Sequence, residues 1–223
     1  WKEQYVFSLN GNTEIYFQDI FVVSSQDIYI VGEYFVNQDT WGIILHYDGN
    51  SWKQVGISKI RTAFIKIRKD SNGKFYLLGV TNEQFIESTY QLYEFDGKAL
   101  TQIKSGTQAN DQLGGILELG NQLYFIIGFD FYNYTNGYFT KIGRLSDAPE
   151  FLNVGLGRST KDIFLGMRNG IAHYNGENTE YLIKTNENTW VRSGIVFEKD
   201  IFMMGRDIKG NNLIFHGKLI GKD

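Results

Sequence analysis

The sequence predicts an all-β chain folded as a five-bladed β-propeller with four-stranded antiparallel blades. Three observations carry that prediction. First, a short apolar strand ending in glycine occurs five times: Asp27–Gly32, Lys74–Gly79, Gln122–Gly128, Asp162–Gly166 and Asp200–Gly205. The starts lie 47, 48, 40 and 38 residues apart, and a period of about 40–50 residues with four short strands per unit is the spacing of propeller blades. Second, a strand and turn recur behind it, as Ile44–Gly49, Leu92–Gly97 and Ile171–Gly176. Third, Trp1–Val6 (Trp-Lys-Glu-Gln-Tyr-Val) echoes the outer strand Trp52–Val55 (Trp-Lys-Gln-Val). Read as the missing outer strand of the last blade, it closes the ring and leaves no sheet edge free.

The elements follow in order. Blade 1 takes Ile15–Val23 as its inner strand, Asp27–Gly32, the loop Glu33–Thr40, Gly42–Tyr47 and the outer strand Trp52–Val55. Asp48-Gly49 reads there as a two-residue hairpin signal. Blade 2 takes Ala63–Arg68, the strand to Gly79, the loop Val80–Thr89, the strand before Gly97 and Leu100–Ile103. Blade 3 takes Gly114–Leu119, the strand to Gly128, the loop Phe129–Gly137, Tyr138–Gly143 and, past Pro149, Glu150–Leu152. Blade 4 has only Met167–Gly170 between its second and third strands, and its outer strand is Glu180–Ile183. Blade 5 takes Ser193–Phe197, the strand to Gly205, the loop Arg206–Asn212 and Leu213–Gly217. The five units use the whole chain, so one domain spanning residues 1–223 is expected.

Composition narrows the function classes. Of 223 residues 42% are hydrophobic and 16% aromatic, and the net charge is −3. That balance gives no bulk attraction to nucleic acid. No apolar run approaches the roughly 20 residues of a membrane-spanning helix. With no cysteine, disulfides and thiolate metal sites are excluded. No G-x-S-x-G, P-loop, H-E-x-x-H or EF-hand pattern occurs, so no catalytic residue and no cofactor is assigned.

At Ile44–Trp52 (Ile-Leu-His-Tyr-Asp-Gly-Asn-Ser-Trp) the chain resembles the propeller repeats of secreted and surface-anchored bacterial proteins, whose blades read G-x-I-L-H-Y-D-G-x-x-W. Kelch-like and photosystem-assembly-factor-like propellers are looser relatives. The resemblance implies a propeller and an extracytoplasmic location; it implies no activity.

Three constellations are candidates for chemistry. His46, His173 and His216 take the same place in their blades, where blades 2 and 3 carry Glu94 and Lys141. Repeat-equivalent residues stand one blade apart, so the three are expected to be structural and no metal site is assigned. Paired carboxylates would run glycoside hydrolysis, with Asp19, Glu33, Glu118 and Asp130 as candidates. Aromatic residues in the loops between second and third strands offer stacking platforms: Tyr34, Phe35 and Trp41, and Phe129, Phe131, Tyr132 and Tyr134 beside Asp130. Phe85 and Tyr90 belong to a third such loop. Arg61 and Arg192, just before inner strands, and Arg168 and Arg206, just after second strands, are expected on the same long-loop face, where guanidinium groups suit carboxylate or phosphate. The expected function is a non-catalytic binding module for a protein or glycan, with acidic groups favoured. A carbohydrate-active hydrolase and a structural ring within a larger assembly are the alternatives.

Overall fold

The computed structural model describes residues 7–8, 14–37, 39–56, 60–83, 87–107, 113–120, 122–145, 151–185 and 188–219. These residues form nineteen strands and no helix. No helix there is long and apolar enough to cross a membrane, a statement that leaves β-barrel spans aside. The chain makes two compact units, Trp1–Asp111 and Gln112–Asp223.

The first unit holds two four-stranded antiparallel meanders. One is β1 (Ile15–Ser24), β2 (Asp27–Val36), β3 (Asp39–Tyr47) and β4 (Trp52–Gln54); the other is β5 (Ala63–Lys69), β6 (Phe75–Glu83), β7 (Glu87–Phe95) and β8 (Leu100–Thr107). The second unit continues with β9 (Leu113–Leu119), β10 (Gln122–Ile127), β11 (Asp130–Thr135) and β12 (Tyr138–Arg144), then β13 (Phe151–Ser159), β14 (Asp162–Met167), β15 (Gly170–Tyr174) and β16 (Thr179–Lys184). These two meanders join through parallel pairing of Gly157 on β13 with Leu119 on β9. A fifth meander has three strands, β17 (Thr189–Val196), β18 (Asp200–Asp207) and β19 (Asn212–Lys218). Trp1–Val6, expected as its fourth strand, lies outside the described residues.

In four of the five repeats the glycine lies inside its strand, while Gly128 follows the end of β10 as expected. Gly32, Gly79 and Gly205 sit inside β2, β6 and β18, opposite Phe17, Phe64 and Val191, where the inner strand makes a β-bulge. The bulge brings backbone close: a Cβ on Gly32 would stand 2.0 Å from the Tyr16 carbonyl oxygen. Glycine is what lets the inner strand bend there.

Several expected boundaries shift. The connections between second and third strands are short, because the strands run on through the expected loops. β2 continues to Val36 and β3 begins at Asp39, with Tyr34 paired to Trp41 and Phe35 to Thr40. Aromatic cross-strand pairs of this kind extend a ladder that nothing in the sequence stops. The expected loop Phe129–Gly137 is mostly β11, turned at Asn136-Gly137 into β12 with φ of 53° and 86°. Tyr138–Gly143 is therefore the outer strand of the third meander, and residues from Phe151 open the fourth. Glu150 and Pro149 lie outside the described residues. The Asp48-Gly49 turn has four residues: Asp48 Oδ1 accepts from the amides of Asn50 and Ser51, at 3.0 and 2.9 Å. Asp96 and Asn175 build the same side-chain-supported turn.

Each unit has its own apolar core. In the first, Tyr29, Val31 and Ile44 pack against Phe64, Ile67, Phe75 and Leu77. In the second, Leu117, Tyr124, Ile126 and Phe131 pack against Ile163, Leu165, Met167 and Tyr174. A further cluster joins the fourth and fifth meanders through Ile171, Val191, Ile201 and Met203.

Candidate functional site

The three histidines share one arrangement. His46, His173 and His216 each place Nε2 2.8 Å from an aspartate Oδ1, of Asp27, Asp162 and Asp200 respectively. Each also lies against the aromatic ring two residues after that aspartate: Tyr29 at 4.3 Å, Phe164 at 4.8 Å and Phe202 at 4.3 Å between centroids. The register explains this, since Tyr29, Phe164 and Phe202 are the direct cross-strand partners of the three histidines. The second meander keeps the device with other chemistry, Lys74 Nζ contacting Glu94 Oε1 at 2.5 Å. Lys141, expected at the equivalent place in the third, lies on the outer strand β12 instead. Among the described residues no three His, Asp or Glu side chains cluster as metal ligands.

The candidate carboxylates are engaged in the fold. Asp19 Oδ2 accepts from the Ile67 amide at 2.9 Å and from Arg68 at 2.7 Å, tying the first meander to the second. Glu33 accepts from Gln18 at 3.1 Å. Asp130, with a side chain 15% exposed, binds Lys141 at 2.7 Å and Arg144 at 3.0 Å. Glu118 is exposed on β9.

The aromatic and arginine candidates divide. In the first unit Trp41, half-buried on β3, carries the Arg61 guanidinium over its ring at 5.3 Å. Arg61 Nη2 donates to Asp39 Oδ2 at 2.7 Å, and its side chain remains 66% exposed. Tyr34 is the cross-strand neighbour of Trp41. The segment that presents Arg61 is held on both sides. Gly42 N donates to the Ile60 carbonyl at 2.9 Å, and Thr81 Oγ1 donates to the Arg61 carbonyl at 2.8 Å. Thr62, a buried polar residue, meets Thr81 Oγ1 at 2.8 Å, and Gln91 donates to Thr81 at 3.1 Å. Burial pushes the Tyr93 hydroxyl pKa up beside this network, and a hydrogen bond with Thr62 opposes the shift. Phe35 meets Tyr16 edge-on at 5.8 Å, a packing role within its own sheet.

In the second unit the expected aromatic loop becomes packing. Phe131 is a fully buried core residue, facing Tyr124 at 5.8 Å and Tyr174 at 6.0 Å. Its assignment to a binding surface is corrected: strand alternation turns it inward, and Gly143 opposite leaves room for its ring. Tyr134 packs on Phe139 at 4.6 Å and Phe125 at 6.2 Å. Tyr132 is half-buried on β11. Phe129 packs on the core beneath Arg144, whose guanidinium lies 5.7 Å from its ring. Arg168 is exposed in the β14–β15 turn. Arg192 and Arg206, however, lie within β17 and β18, both exposed, and Arg206 Nε donates to the Gly210 carbonyl at 3.1 Å. Arg61 belongs to the first unit and these three to the second. An apolar hollow of about 170 Å³ between the fourth and fifth meanders is lined by Phe164, Ile171, Ile201, Met203 and Phe215 among others, and offers a polar ligand little.

Asp39 and the Thr62–Thr81–Gln91 network went unread in the sequence. Asp39-Thr40-Trp41 alternates as a strand, which puts Asp39 and Trp41 on one side, and that pattern was the available signal.

No protein-family profile and no curated protein matches the chain. Among solved structures it is similar to a gluconolactonase from Xanthomonas campestris, at a TM-score of 0.55 and 11% identity, over 82% of this chain and 69% of that one. It also aligns with a Bacteroides ovatus protein assigned by inference to the glycoside hydrolases, at a TM-score of 0.41 and 8% identity, over 92% of this chain and 86% of that one. The first likeness is one of fold; the second is too loose to carry an argument.

Proposed function

We propose that the chain recognises a carbohydrate-derived ligand on the first unit, with Trp41 as the stacking platform and Arg61 and Asp39 as the polar pair beside it. The observation that carries this reading is the arrangement itself: an exposed guanidinium held 5.3 Å over an indole and bonded to a carboxylate. A sugar ring lays its C–H face on an indole and its hydroxyls on such donors and acceptors. Arg61 keeps donors beyond the one given to Asp39, and a guanidinium binds a carboxylate through paired hydrogen bonds. A sugar acid therefore fits better than a neutral sugar. An extracytoplasmic location belongs to the same proposal, through the repeat at Ile44–Trp52.

A second reading is a hydrolase acting on such a ligand. It is favoured by the likeness to a gluconolactonase, an enzyme named for a lactone of a sugar acid. Against it stand the carboxylates Asp19, Glu33 and Asp130, each engaged by neighbours. The two readings separate in one experiment, a glycan array including uronic and aldonic acids followed by time courses on aldonolactones and aryl glycosides. Retention of acidic sugars without turnover supports recognition alone. Turnover that persists at constant specific activity through purification supports the hydrolase.

A further inference from the structure

The seam between the first two meanders carries a buried polar device. Thr62 is 2% exposed, and it stands two residues before Phe64, where β5 makes its bulge opposite Gly79. Three hydrogen bonds fix the backbone around Arg61. The Ile60 carbonyl accepts from Gly42 N and from Thr62 N, each at 2.9 Å. The second of these closes a three-residue turn with Arg61 at its apex. The Arg61 carbonyl accepts from Thr81 Oγ1 at 2.8 Å. Gly42 follows Trp41 directly, so the turn is tied to the strand that carries the indole.

Proton counting gives the network a direction. A carbonyl oxygen only accepts, so the single Thr81 hydroxyl proton goes to Arg61; that contact, at 2.8 Å, is shorter than the 3.3 Å to Gln91 Oε1. Thr81 Oγ1 then accepts, from Thr62 Oγ1 at 2.8 Å and from Gln91 Nε2 at 3.1 Å. The hydroxyl of buried Tyr93 bonds with Thr62. A satisfied chain of this kind is stiffer than its separate bonds. It ends on Arg61, whose guanidinium lies over the Trp41 ring and bonds Asp39.

We propose that Thr81 is the positioning residue of this site: its hydroxyl, seated on the Arg61 carbonyl, sets the turn that keeps the guanidinium over the indole. The effect on ligand affinity rests on the carbohydrate reading; the effect on Arg61 itself does not. A charged side chain held in its binding geometry before the ligand arrives binds more tightly than one that must be ordered. The fifth meander supplies a comparison. Thr189, 1% exposed, stands two residues before its own bulge partner Val191 and meets Thr185 Oγ1 at 3.1 Å. Thr185 and Thr189 belong to the second unit, so their bond measures the structural cost of such a device without Trp41 or Arg61.

The Arg61 Nε–H resonance, recorded without ligand, tests this. In the wild type the ring current of Trp41 is expected to shift it from the position of a solvated arginine. Thr81→Val is expected to abolish most of that shift, and Thr81→Ser, which keeps the hydroxyl, to retain it. Thr185→Val is expected to lower stability similarly and leave the Arg61 resonance alone. Titration with glucuronate, a uronic acid, should find Thr81→Val about fivefold weaker, as for one lost neutral hydrogen bond. Thr81→Ser and Thr185→Val should keep the wild-type affinity. Circular dichroism checks the folds, and Gln91→Leu, which removes a donor to Thr81, repeats the measurement from the neighbouring strand. A Thr81→Val resonance that stays at the wild-type position overturns the proposal and leaves the carbohydrate reading standing. A Thr81→Ser variant as impaired as Thr81→Val overturns it too. Arg61→Ala that binds glucuronate like the wild type contradicts the carbohydrate reading instead, and the ligand-free resonance still decides the role of Thr81.

Discussion

Asp27, Asp162 and Asp200 each do the same work, orienting a histidine across a strand pair so that its ring lies on an aromatic neighbour. A hydrogen bond and a ring contact of this kind contribute about 1 kcal/mol each. His46→Ala is therefore expected to lower stability by about 1–2 kcal/mol in denaturant titration, while a chelator leaves the wild-type melting temperature unchanged. A chelator-induced drop would point to a bound metal. Asp162 adds a pH signature. Burial, the largest influence, raises its pKa, but the hydrogen bonds and charges of Arg158 and His173 together outweigh it, and the carboxyl is held below its ordinary value. A depressed folded pKa contributes stability above the unfolded value of about 4, and that stability is lost as pH falls through the lower folded value. Asp162→Asn should thus melt lower than wild type at neutral pH, with the gap narrowing below about pH 4. A gap that stays constant with pH would contradict the assignment.

At the scale of the strand, glycine and the bulge act as one device. Gly32→Ala forces a Cβ against the Tyr16 carbonyl, where backbone rather than a flexible side chain must give. An expected loss of about 2–3 kcal/mol follows from overpacking; a variant as stable as wild type would show that the bulge relaxes freely. The sequence made the second strands and most third strands legible through their apolar runs and glycines. It hid the third meander. Asn136-Gly137 is the strongest hairpin signal in that stretch, yet the surrounding Phe, Tyr and Asn residues read as a loop with aromatic decoration. Alternation settles it, with Phe131 buried on the inner face and Tyr132 on the opposite face of β11. Trp41 and Arg61 are legible as binding candidates from residue type and from their places at the end of an expected loop and just before an expected inner strand. Asp39 is not, because the ladder reaches further than the glycine seemed to permit.

At the scale of the molecule, five meanders in chain order reproduce the repeat that the sequence spacing announces, four with four strands and one with three among the described residues. The proposed function rests on a much smaller feature, the Trp41–Arg61–Asp39 cluster, and its direct test is a calorimetric titration with an acidic sugar retained on the array. The account predicts one site per chain, with Trp41→Ala and Arg61→Ala each weakening binding about tenfold, the equivalent of about 1.4 kcal/mol. Wild-type affinity in both variants, with the folds intact, would contradict it.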